Sequence, residues 1–266
     1  MLSIFKDSFL QTALIASLIV GATCAYLGVY VVLRRVVFVG AALAQVSSAG
    51  VGLAMLLGWN PSMLSLVLTL GGVAAFSVKP KDKRITQESF IGIGYALASA
   101  LAVLFVAKSA QGEGHMLDVL SGDILTVTTP QVWLMAVVGV TGIMLHTLFH
   151  KQLLFSAFDS ETAQASGTKS MLWDLLFFLI LGVVISLSIR LAGTLLTFAF
   201  LVMPAVTALL LTQHMGKILA IAIASASLAT VVGLSVSIKM DVPSGPAIAA
   251  VSFLLLSVSW VISRFK

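Results

Sequence analysis

His146 and His150 stand four apart in HTLFH and so share one face of a helix. That spacing can ligate zinc, but the glutamate of a metalloprotease helix is missing. The pair closes an apolar run, where solvated interfacial histidines are the expectation; His115 and His214 each stand alone. A second pattern lies in VVFVGAALAQVSSAGVGLAML, where Ala41, Gln45, Ser48 and Gly52 follow i, i+4, i+7, i+11 and share a face. Small residues there let another helix approach closely. Gln45, the one large polar group, reads either as an amide bonded to a neighbour or as part of the wall of a permeation path. A third is GTLLTFAFLVMPAVTALLL. Pro204 has no N–H, so the carbonyl of Phe200 loses its helical donor, and Thr197 and Thr207 are the nearby hydroxyls that could replace it. The proline reads as a plain kink or as one that lines a cavity.

The elements that carry these residues are dictated by composition. The chain has 266 residues, 59% hydrophobic and 9% charged, with a mean hydropathy of +1.12. Soluble domains average about 25% charged residues, and a core of this length cannot hide so much apolar surface, so lipid must cover it. The expectation is an all-α polytopic bundle forming one transmembrane domain over 1–266. A span needs about 20 apolar residues. That criterion marks about 9–33, 36–58, 62–78, 88–108, 131–149, 172–189, 192–212, 218–238 and 246–263. Eight or nine of these cross, since 62–78 is short, and since 172–189 and 192–212 are separated only by Arg190 and Leu191, as in a tight hairpin. The net charge of +5 is not a nucleic-acid signature, because the cations sit in short clusters between apolar runs. Cys24 alone supports no disulfide framework, and no cleavable signal stands out.

Two polar stretches interrupt the oily chain. If 150–170 faces the cytoplasm, all of the 15 cations except Lys6, Lys108, Arg190 and Lys239 lie inside, as the positive-inside rule demands. The stretch from Ser109 to Pro130 then lies outside and reads as a short surface or re-entrant helix. The inner stretch, HKQLLFSAFDSETAQASGTKS, carries Asp159 and Glu161 early and Lys169 late, which suits a short helix. No phosphate-cradling G-x-x-x-x-G-K-[ST] loop is present, so an ATP-driven step belongs to another chain. Within the apolar runs the reading finds only amides and hydroxyls, which argues against an intramembrane enzyme.

Five pieces in order, LRRVVFVGAALAQVSSAGVGLA, ESFIGIGYALASALAVLF with LSGDIL, FDSETAQASG, AGTLLTFAFLVMPAVTA and DVPSGPAIAAV, span nearly the whole chain. Together they resemble the permease subunits of ABC importers for zinc, manganese and iron. The resemblance implies a bacterial inner or plasma membrane protein working as two copies around one path. It implies a cytoplasmic ATPase docked on Phe158, Asp159, Glu161, Ala163 and Gly167, and an extracytoplasmic solute-binding protein. No cofactor is expected on this chain, with ATP on the partner subunit. The path candidates are Gln45, Ser48, Thr197, Pro204 and Thr207. Gly193 and Ala208 keep the family pattern, as do Pro243 and Gly245. Asp241 at the outer mouth either receives the binding protein or makes a turn.

One departure concerns the cargo. The family reads Gly-Asp-x-x-Ser-His where this chain has Gly40, Ala41, Ala44 and Gln45, and a later proline is Ala49. Asp and His ligate divalent metals; an amide does so poorly and alanine not at all. No metal site is carried over, and a metal chelate or another small solute stands beside the divalent transition metal. A secondary transporter that works alone is the reading from a different class, and it needs no docking segment.

Overall fold

The computed structural model describes residues 8–78, 80, 84–109, 127–158 and 170–265. Every regular element among them is an α-helix. These are α1 (Ser8–Leu33), α2 (Val39–Leu57), α3 (Pro61–Ser77), α4 (Gln87–Lys108), α5 (Thr129–Leu148), α6 (His150–Phe158), α7 (Ser170–Leu211), α8 (Met215–Met240) and α9 (Ser244–Ser263). Seven are long and apolar enough to cross a membrane, and α3 is a shorter apolar helix. The stretch from 110 to 126, expected to hold a surface helix, lies outside the described residues.

Local chemistry sets the helix ends. Asn60 caps α3 by accepting from the N–H groups of Ser62 and Met63, with Pro61 in the first turn where its missing donor costs nothing. Thr86 caps α4 by accepting from Ser89 N–H. Glu88, in the first turn of α4, also accepts the backbone N–H of Phe38 at the start of α2, 3.0 Å away. One carboxylate thus faces the positive ends of two helices. Gly58 ends α2 in the left-handed region at φ 68°. Hydroxyls inside the helices return to the carbonyl four residues back, as Ser17 does to Ala13 and Thr230 to Ala226. This satisfies them where no water is present.

The chain divides into two compact units. The first takes residues 1–33, 117–140 and 187–266. Within it α1 packs on α8 and α8 on α9. The α8–α9 seam passes at Gly233, where a Cβ would come within 2.5 Å of the Ile248 Cα. The second takes residues 34–116 and 141–186, with α2 packed on both α3 and α4. There Gly50 lies against the Ser65 backbone and Gly52 against Phe105 and Val106 of α4. The small-residue face read from the sequence is thus in part a helix-packing seam.

The break between the stretches 172–189 and 192–212 falls at Gly193 and not at the intervening Arg190 and Leu191. Arg190 and Leu191 are helical, and α7 runs for 42 residues with its only non-helical backbone at Gly193, φ 80° and ψ 169°. A straight helix of that length would extend about 63 Å, twice an apolar bilayer core, so a break is required. Only glycine occupies that backbone region without strain. Gly193→Ala is expected to cost about 1–3 kcal/mol, read as a lower midpoint of thermal unfolding in detergent. A melting curve that superimposes on the parent's would show that the break survives a side chain.

Candidate functional site

The residues predicted to line a path fall in the two units, and each set stands by itself. In the second unit Ala41, Gln45 and Ser48 are half-buried along α2. The Ser48 hydroxyl donates to the Ala44 carbonyl at 3.0 Å. Ala49, where the family has proline, is buried. Beside this face the hydroxyls of Ser47 and Ser65 meet at 2.8 Å, joining α2 to α3 inside the unit. In the first unit Thr197, Pro204 and Thr207 are buried along α7. The two threonines do not rescue the Phe200 carbonyl. Thr197 donates to Gly193 O at 2.7 Å and Thr207 to Met203 O at 2.8 Å, each to the carbonyl four residues back. An alcohol on a helix reaches its own preceding turn more readily than the carbonyl a proline has orphaned. Thr197 therefore supports the broken turn at Gly193.

Asp241 makes the turn. It caps the end of α8 in the left-handed conformation, φ 50° and ψ 47°, and its N–H returns to Ser237 O. The Ser237 hydroxyl then donates to Val242 O at 2.6 Å. Pro243 and Gly245 follow at the entry to α9, where Pro243 is the cap. The Asp241 side chain is exposed.

The expectation of solvated histidines fails at His146. It is 1% exposed and packs edge-on against Phe177 at 6.2 Å between ring centroids. The reason is that α5 ends against α7 rather than in water. His150 is half-buried and His214 exposed. Among the described residues no group of three His, Cys, Asp or Glu side chains is placed to hold a metal ion.

On the side expected to meet an ATPase, Phe158 ends α6, and Asp159, Glu161, Ala163 and Gly167 lie outside the described residues. The flanks of that segment are built around an ion pair. Arg34, just after α1, sends Nη1 to Asp174 Oδ1 of α7 at 2.9 Å and Nη2 to the Leu153 carbonyl of α6 at 2.7 Å. The two side chains are only 8% and 4% exposed. The guanidinium lies over the Phe177 ring, 4.0 Å from its centroid. Ser156 of α6 directs its hydroxyl to Asp174 Oδ1 at 2.9 Å and to Ser170 O at 3.0 Å. Phe149 stacks obliquely on Trp173, 5.2 Å between centroids. Burial pulls Arg34 below its usual pKa, while the charge and hydrogen bond of Asp174 oppose that shift.

Sequence reasoning missed this cluster. The apolar runs read as holding only amides and hydroxyls, yet Asp174 sits within 172–189. The signal was there, since an acid inside an apolar run demands a partner. Its partner lies 140 residues away, beyond the reach of any local pattern.

The relatives accord with this architecture. The chain is 28% identical over 256 residues to the manganese transport system membrane protein MntC of Halalkalibacterium halodurans, covering 96% of this chain and 88% of the relative. It is 28% identical over 255 residues to the manganese import system permease protein ScaB of Streptococcus gordonii, covering 96% and 91%. The solved structure of PsaBC from Streptococcus pneumoniae in complex with Fab superimposes with a TM-score of 0.82 at 26% identity, over 98% of this chain and 95% of that one. Residues 6–263 match the family described as the ABC 3 transport family. With seven helices among the described residues fit to cross a bilayer and this match over nearly its full length, the chain belongs to the ABC 3 transport family and is a multi-pass membrane permease.

Proposed function

We propose that the chain is the gate of an ATP-driven importer for a divalent transition metal, with manganese first among the candidates. The observation that carries this reading is full-length similarity to manganese-system permeases. In this reading two copies enclose the path, a solute-binding protein delivers cargo outside, and a separate ATPase supplies ATP hydrolysis inside. Rigid-body closure of the ATPases then moves the helices through the segment that follows α6. This chain contributes the bilayer-spanning walls and carries no nucleotide of its own.

A second reading keeps the machine and changes the cargo. Where the family has an acid and a histidine, this chain has Ala41 and Gln45, both half-buried on α2. Such a face lacks the charge that offsets a dication at low dielectric and suits a neutral or chelated solute better. Uptake of manganese, zinc and iron in cells with and without the gene separates the two. A manganese difference supports the first reading, and equal accumulation of all three metals leaves the chelate.

The docking assignment has its own test. Glu161→Lys reverses a charge and Gly167→Trp adds bulk at the expected ATPase contact. Each is expected to lower transport by at least about tenfold, corresponding to a contact worth more than about 1.4 kcal/mol, with normal insertion in the membrane. Full transport in both variants would favour a transporter that works without an ATPase.

A further inference from the structure

The ion pair between Arg34 and Asp174 is placed where a merely stabilising pair need not be. Arg34 is the first residue of its unit in sequence, directly after α1. From it the chain turns through Arg35, which holds the left-handed conformation at φ 57°, and enters α2 at Val39. α2 carries Gln45 and Ser48. The same guanidinium grips α6 through Leu153 O and α7 through Asp174. Those two helices are the two flanks of residues 159–169, and the Ser156 hydroxyl ties them to each other by reaching Ser170 O and Asp174. One planar side chain therefore connects the entry of the segment, its exit and the start of the path-bearing helix. The start of α2 is also anchored to α4, through Phe38 N–H and Glu88. A displacement of α6 and the start of α7 cannot leave the Arg34 backbone behind without breaking a buried charge-assisted bond, which costs far more than moving together.

We propose that Arg34 is a positioning residue that passes movement of α6 and the first turns of α7 to the start of α2, with Asp174 and Ser156 holding it in place. The proposal rests on the importer reading above, because the movement it transmits comes from a docked ATPase. Its chemistry requires arginine. The fork presents two N–H groups in one plane, one for a carboxylate and one for a carbonyl. Lysine keeps the charge but holds both acceptors in that geometry poorly.

The test uses the full chain in lipid nanodiscs, together with the ATPase that co-purifies with it from its host membrane. Cys24 is replaced by alanine and a single labelled cysteine replaces exposed Trp59 just beyond the far end of α2. In the parent, ATP is expected to change the mobility of the label. Arg34→Lys is expected to reduce that change about tenfold while ATPase co-purification and ATP hydrolysis stay at the parent level. Ser156→Ala removes one hydroxyl and is expected to reduce it less, so an informative variant remains if Arg34→Lys folds poorly. A full ATP response in every folded variant overturns the proposal and leaves the importer reading intact. Loss of ATPase association in both variants overturns it too, because the cluster then serves the dock itself. If the parent recovers no ATPase at all, the importer reading fails and the proposal falls with it.

Discussion

Replacing Asp174 by alanine is expected to remove about 3–5 kcal/mol of stability. The substitution leaves the Arg34 guanidinium inside the protein with its countercharge gone, and its side chain is only 8% exposed. The Leu153 carbonyl and the Phe177 face remain as partners, but neither carries a full negative charge. Ser156 loses one of its acceptors at the same time. Asp174→Asn keeps an acceptor oxygen for Arg34 and is expected to cost less. The measurement is the midpoint of thermal unfolding of the purified permease in detergent, with monodispersity on size exclusion as a second readout. Equal midpoints for the parent and Asp174→Ala would mean that Arg34 escapes to water and that the pair contributes little.

Gly28→Val is expected to disrupt the packing of α1 against α7. A Cβ on Gly28 would fall on the Leu201 carbonyl oxygen, with the carbonyl carbon at 2.8 Å and Cα at 3.1 Å. The obstacle is backbone of another helix, so no rotamer change relieves it. One added methyl in a tight core costs about 1–3 kcal/mol, and here the helices themselves must part. Valine is expected to exceed that range and to abolish monodisperse expression. Gly92 supplies the contrast, because a Cβ there meets nothing within 4 Å. Gly92→Ala is expected to be neutral, or to stabilise by up to about 1 kcal/mol through helix propensity. Fluorescence-detected size exclusion on tagged variants reads both at once. Equal peaks for Gly28→Val and Gly92→Ala would contradict the close approach.

Some of the molecule is legible in one dimension. A run of about 20 apolar residues has one stable state in lipid, so the helices, the all-α class and the membrane location follow from local composition. The bounds of α4 and α9 come within a residue or two of 88–108 and 246–263 for this reason. The turn at Asp241 was one of two readings the sequence left open, and turn chemistry favours it, since Asp before Val-Pro suits ending one helix and starting the next. The departures at Ala41 and Gln45 were visible as residue types alone.

Other features depend on which helices meet. Nothing near Arg190 says that α7 continues through it and breaks at Gly193, because the break answers to helix length and packing rather than to a turn motif. The burial of His146 follows from Phe177 lying beside it. The union of Arg34 with Asp174 required the fold to bring the end of one apolar run to the start of another. Composition and hydrophobic length determined that this chain is a bundle of membrane helices and carried its family resemblance. Only the tertiary structure decided which charge is buried beside which, because pairing energy falls off within a few ångströms while the sequence separation of the partners is unlimited.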